Sequence, residues 1–194
     1  MHFSRIAAFL LGAWLLGSLF MAFVATQNFA TVDRVLNSPP ADAAKMIQTL
    51  RADNARHLLR YLAGEENRGF FESWELAQLV LGLALTFLLL FAVKNRALAA
   101  FTGAMLVLTA FQHWRITPDL VALGRSNEFI ARAASSLART QFGRLHAAYG
   151  VIEGVKLLLA LTVAAFLFPR RHRRSRQRVE VDPVDHANHS HIDG

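Results

Sequence analysis

The chain of 194 residues contains no cysteine. That absence excludes disulfides, thiolate metal sites and thiol catalysis, and it leaves the redox compartment undetermined. Charge is also scarce: Asp, Glu, Lys and Arg make up 18% of the chain against 54% hydrophobic residues, where globular proteins carry about 25% charged residues. With only 5 prolines, few positions force a helix to break. The short catalytic signatures are missing as well. There is no GxSxG, no HExxH, no DxD-like acidic pair and no phosphate-cradling glycine loop in a suitable context, so no catalytic residue is assigned and the chain reads as a non-enzyme.

What is present is apolar and unevenly distributed. Mean hydropathy is +0.29, and the apolar residues gather in runs at 6–25, 76–93, 97–111 and 151–168. A hydrocarbon core about 30 Å thick needs about 20 helical residues, a length each run reaches with its flanking residues. These runs predict an all-α integral membrane four-helix bundle, with spans at about 6–29, 74–93, 97–116 and 146–168 in a membrane domain covering 1–169. The first run offers no convincing small-x-small cleavage site, so it reads as an uncleaved span rather than a secretory signal.

Orientation follows from Lys and Arg in short loops, which stay on the cytoplasmic side. Arg5, the Lys94 and Arg96 turn, and the cluster Arg170, Arg171, Arg173, Arg174, Arg176 and Arg178 fall on one side of four spans. Both termini are therefore expected in the cytoplasm of a bacterial cell, with the chain in the inner membrane. The arginine cluster is expected to contact anionic lipid headgroups, each cation contributing roughly 1 kcal/mol. Its place directly after a span argues against nucleic acid as a partner. The remainder of the 170–194 tail, with His186, His189 and His191, reads as disordered, with weak metal capture as the alternative.

Two external segments carry helix signals, at about 41–63 and 119–144. In the first, Met46, Ile47, Leu50, Leu58, Leu59 and Leu62 follow roughly helical spacing after Pro39 and Pro40, and Gly64 reads as a stop. The expectation is amphipathic external helices that cap the spans.

The fourth span carries the most informative pattern. Gly143, Ala147, Gly150 and Gly154 share a narrow arc, which lets another helix approach closely, so this face is expected to pack. His146, Tyr149, Glu153 and Lys156 lie beside it, and Glu153 and Lys156 have the i, i+3 spacing of an ion pair. An unpaired charge in hydrocarbon costs at least about 2.5 kcal/mol, so the pair is expected to face inward. Gln78 on the second span and His113 on the third extend this into an intramembrane polar layer, structural or functional. His57, His113 and His146 with Glu153 offer ligand types for a divalent metal, and a single histidine offers one for haem, but no recognised metal spacing appears. No cofactor is therefore predicted and the metal assignment stays unknown.

The stretches "GAWLLGSLFMAFVATQNF", "FESWELAQLVLGLAL", "HWRITPDLVALGR" and "FGRLHAAYGVIEGVKL" resemble the four-span membrane proteins of domain of unknown function 4149, relatives of animal transmembrane protein 205. The resemblance covers about 5–168 and is most specific at Phe142, His146, Tyr149 and Glu153, preceded by Thr117 and Pro118. It implies a four-span architecture and brings no catalytic residues. The functional expectation is a structural, binding or accessory component of the membrane, acting as a homo-oligomer or with a membrane-complex partner. The alternative is a small transporter or metal-handling protein that uses the polar layer.

Overall fold

The computed structural model describes residues 2–129 and 136–168. These residues are helical throughout apart from short turns. The elements are α1 (His2–Asn37), α2 (Ala41–Leu50), α3 (Ala52–Phe87) ending in a π-helical turn (Leu88–Ala92), α4 (Arg96–Phe111) leading through a second π-helical turn (Gln112–Ile116) into α5 (Thr117–Phe129), and α6 (Ser136–Leu167). Four continuous helical stretches are long and apolar enough to cross a membrane: His2–Asn37, Ala52–Ala92, Arg96–Ser126 and Leu137–Leu167. The basic segment from Arg170 to Arg178 and the tail histidines lie outside the described residues.

The helices run further than the predicted spans. A stretch of 41 residues is about 60 Å long at 1.5 Å per residue, roughly twice the hydrocarbon thickness. The predicted external helix at 41–63 is therefore two pieces, and most of it is the beginning of the second long helix. The chain breaks at Arg51, whose φ of 67° ends α2 and starts α3. Gly64, expected as a stop, is buried in mid-helix, where glycine costs only about 1 kcal/mol. The second external segment likewise continues its neighbouring spans, as α5 after α4 and as the first turns of α6.

Pro118 explains how α4 passes into α5 without a break. Proline has no N–H to give and its ring collides with the carbonyl four residues back. The π-helical turn immediately before it, closed by the Thr117 N–H on the Gln112 carbonyl, is the usual way a helix absorbs such a residue, and such turns are frequent at functional sites. At the opposite end of α4, Lys94 takes a left-handed φ of 58°, and Asn95 caps the helix by accepting from the Leu98 N–H at 3.1 Å.

α1 packs on α3, α3 on α4, α4 on α6 and α6 back on α1. The α1–α3 contact is a reciprocal notch. Trp14 of α1 sits over Gly82 of α3, where a Cβ would come within 2.9 Å of the indole, and Trp74 of α3 covers Gly17 of α1 in the same way. Trp14 is thus wholly buried and belongs to the core. Trp114 stands exposed. Ala7, Leu11, Trp14, Leu85, Leu89, Leu98, Met105, Ala160 and Val163 form one apolar cluster, with Val93 and Leu167 packed against it. Large apolar side chains including Phe9, Val80, Val107, Leu158 and Phe166 face outward, the pattern of helices that meet lipid rather than water.

Beyond the apolar stretches, α1 and α3 are joined by polar contacts. Asn28 Nδ2 donates to Asn67 Oδ1 at 2.7 Å, and Asn67 Nδ2 donates to the Ala25 carbonyl at 3.2 Å. Glu65 ties α3 to α5, accepting from Arg125 Nε at 2.8 Å and Nη2 at 2.9 Å while pairing with Arg68 at 2.7 Å.

Candidate functional site

The inward side of α6 is set by Tyr149, Lys156, Ala160 and Val163, all buried. Tyr149, Lys156 and Val163 repeat every seven residues, about 20° apart around the helix axis per step. Measured from Tyr149, Glu153 lies about 40° away and His146 about 60° on the same flank, whereas Gly143, Ala147, Gly150 and Gly154 lie roughly 100–160° away. The helix consequently turns its charge toward the other helices and its small residues away from them.

Lys156 is the centre of the inner half of the site. Its side chain is 0% exposed and its Nζ is 2.6 Å from Glu153 Oε1. The same Nζ donates to Gln78 Oε1 of α3 at 2.7 Å and to Thr109 Oγ1 of α4 at 3.4 Å. Gln78 passes the connection on, its Nε2 donating to Ser18 Oγ of α1 at 3.1 Å. One ammonium therefore links α6 to α3 and α4 directly and to α1 through an amide. A buried charge left without such partners costs several kcal/mol.

Glu75 is the centre of the outer half. It is wholly buried, and each of its carboxylate oxygens has a partner: Thr117 Oγ1 donates to Oε1 at 2.6 Å, and His113 Nδ1 lies 3.0 Å from Oε2. The π-helical turn places His113 and Gln112 here, and Gln112 Nε2 donates to the Tyr149 carbonyl at 3.3 Å. Tyr149 packs edge-on against Phe71 at 5.7 Å. Its hydroxyl lies within reach of both Glu75 and Glu153, and Gln112 Oε1 has no hydrogen-bond partner among the described residues.

The structure thus brings together Gln78, His113, Tyr149, Glu153 and Lys156 from the predicted layer, with Glu75, Thr109 and Gln112 from the same polar sides of the second and third spans, and adds Thr117 and Ser18. His146 does not join them. It is exposed and stacked on Phe142 at 5.9 Å, because its flank position on α6 faces past the neighbouring helices. On the expected packing face, at Gly143, Gly150 and Gly154, an added Cβ would meet nothing within 4 Å, and Ala147 is exposed. Among the described residues no helix packs on that face.

His57 is exposed on α3, and among the described residues no three His, Asp or Glu side chains are grouped so as to hold a metal ion. An open cavity of about 390 Å³ lies between α5 and α6, lined by Asp119, Ala122, Leu123, Gln141, Arg144 and Leu145; it shares no residue with the polar layer. Outside the apolar stretches, the hydrogen bond from Arg125 holds the Glu65 carboxyl at about 2, well below the usual carboxylate range, with the Arg68 charge adding to it against partial desolvation.

Two signals in the sequence point to the Glu75 and Thr117 pair. Glu75 is an ionisable group one residue after Trp74 at the start of an apolar run, and Thr117 precedes the proline that requires the π-helical turn. Comparison of the chain with family models, with curated proteins and with solved structures finds no match.

Proposed function

We propose that the chain is an accessory membrane protein without catalytic activity of its own, a four-helix bundle whose buried charges fix its interior and whose outer face receives a second membrane helix. The division of α6 carries this reading: Tyr149 and Lys156 are buried on one side, while Gly143, Gly150 and Gly154 stand open on the other. Small residues that leave a helix backbone accessible are how membrane helices approach one another. A cytoplasmic side for both termini is supported by Arg5, Lys94 and Arg96, which lie near the end of the core marked by Ala7 and Leu98, with Val93 and Leu167 packed against it. The basic cluster at 170–178 would then meet anionic lipid.

The test is purification in several mild detergents. A stable larger species, homo-oligomeric or with a partner, is expected for the wild type and is lost in Gly150→Leu. A strictly monomeric wild type in every detergent overturns the reading.

A transport or metal-handling role is the second reading, favoured by the polar layer itself, since ionisable residues within membrane spans mark ion and proton paths. Bound metal near zero, together with unchanged uptake in cells lacking the chain, argues against it.

A further inference from the structure

We propose that Glu75 and His113 form a proton-binding site, reached through the partly exposed imidazole and closed toward the middle of the helices. The proposal goes beyond the accessory reading, in which the buried charges fix the interior, and it rests on the charges that line the site.

Charge arithmetic is the first support. Around Glu75, α6 contributes Glu153, Lys156 and Tyr149, the turn after α4 contributes His113, and α5 contributes the neutral Thr117. Among the described residues, α1 brings Ser18, through Gln78. With both carboxylates and the ammonium charged, the group carries −1 when His113 is neutral and 0 when the imidazole binds a proton. An uncompensated charge in a region of low dielectric is costly, so the layer holds a place for one proton.

Geometry supplies the second. His113 Nδ1 faces Glu75 Oε2 at 3.0 Å, so the neutral ring donates there and Nε2 is left to accept. The imidazole is 21% exposed whereas the carboxylate is 0% exposed, so the ring is the more accessible member of the pair. On binding, a hydronium ion hands its proton to Nε2, one O–H bond breaking as the N–H bond forms and water leaving, and the ring becomes a cation against the carboxylate. No other bond changes.

The third support is that the layer ends. Past Gln78, Lys156 and Thr109, the interior is filled by Trp14, Leu85, Met105, Leu89 and Val163, all at or near 0% exposure. The next internal polar contact, Thr86 to Thr102 at 3.0 Å, lies within that apolar packing, about two turns of α3 past Gln78. Among the described residues no hydrogen bond joins it to the layer, so the site binds a proton rather than conducting one.

The experiment is nitrogen-15 histidine NMR of the full chain in liposomes, with the internal pH clamped and the external pH lowered. In the wild type one imidazole should change from the neutral Nδ1–H form to the doubly protonated form, and that signal should be absent in His113→Gln. At the external pH where the wild-type ring is half protonated, the ratio of protonated to neutral ring should be about tenfold lower in Glu75→Gln, because the neighbouring negative charge is gone. A ring that stays neutral throughout, or that protonates equally in Glu75→Gln, overturns the proposal. Should Glu75→Gln fail to fold, His113→Gln carries the test, since its amide still donates to Glu75. It should take up one proton fewer than the wild type in a pH-jump titration, and an equal count overturns the site. Proton flux above that of empty vesicles overturns the closed inner end. Oligomeric state is a separate measurement, so failure here is distinct from failure of the accessory reading.

Discussion

Lys156 and Gln78 meet at 2.7 Å in the interior, the ammonium donating to an amide oxygen two helices away in the chain, with neither side chain exposed. The contact fixes the rotation of α6 against α3. Because Gln78 also donates to Ser18, it relays that rotation to α1.

Removing one charge of the Glu153–Lys156 pair should therefore be worse than removing both. Lys156→Met leaves Glu153 without its counter-ion, and Glu153→Gln leaves an ammonium held only by an amide and a hydroxyl. Each single change is expected to cost about 3–5 kcal/mol and the double change distinctly less, as for buried pairs elsewhere. Thermal melts of all four proteins in one detergent check this, and additive losses would show that the two residues do not act as a pair.

How much of this could be read from the sequence depends on what helical periodicity reports. Four apolar helices and the Glu153–Lys156 pairing follow directly from run length and i, i+3 spacing. The direction of each face does not. Gly143, Ala147, Gly150 and Gly154 form as narrow an arc as the charged residues, and periodicity alone cannot say which arc turns inward. His146 shows the same limit, since a residue about 60° off the inward line is decided by how far the neighbouring helices reach at that level. Glu75 was visible as a polar residue of its span, but its partner Thr117 lies beyond a π-helical turn that changes the helical phase. Trp14 was hidden for a different reason: a tryptophan at a span needs no pocket until a glycine on another helix, here Gly82, supplies one.

The glycines divide into two classes with opposite predictions. Gly82→Leu should destabilise the fold, because even a Cβ there comes within 2.9 Å of Trp14, and overpacking a filled interior costs typically 1–3 kcal/mol, occasionally more. Gly17→Leu should act likewise through Trp74. Gly143→Leu and Gly150→Leu should leave the thermal midpoint of the isolated chain nearly unchanged, since nothing lies within 4 Å of an added Cβ at either position. Parallel melts of the four variants settle it, and a large loss in Gly143→Leu would mean that this face packs within the chain.

The outward face makes a prediction about assembly as well as stability. If a second helix seats on it, Gly150→Leu and Gly154→Leu should abolish the larger species while the thermal midpoint of the monomer holds. Crosslinking between copies in native membranes, with and without the substitutions, distinguishes loss of assembly from loss of fold. Undiminished crosslinking in both variants would move the contact to another surface.

The clamp between α3 and α5 should respond to acid. The Glu65 carboxyl is held at about 2 by Arg125, below its ordinary value of 4.5. A group whose affinity for protons is lowered on folding stabilises the fold above its unfolded value and loses that contribution as pH falls through the folded one. Glu65 therefore contributes fully at neutral pH and progressively less from about 4.5 down to about 2. In melts across this range, wild type should lose stability faster than Glu65→Gln, and the two curves should approach each other at the acid end. Arg125→Met should flatten the wild-type curve in the same interval, because it removes the bidentate donor that lowers the carboxyl. Arg68 remains at 2.7 Å, so the flattening should be partial. A wild type and Glu65→Gln that run parallel through the whole interval would mean that the clamp does not hold α5 in place.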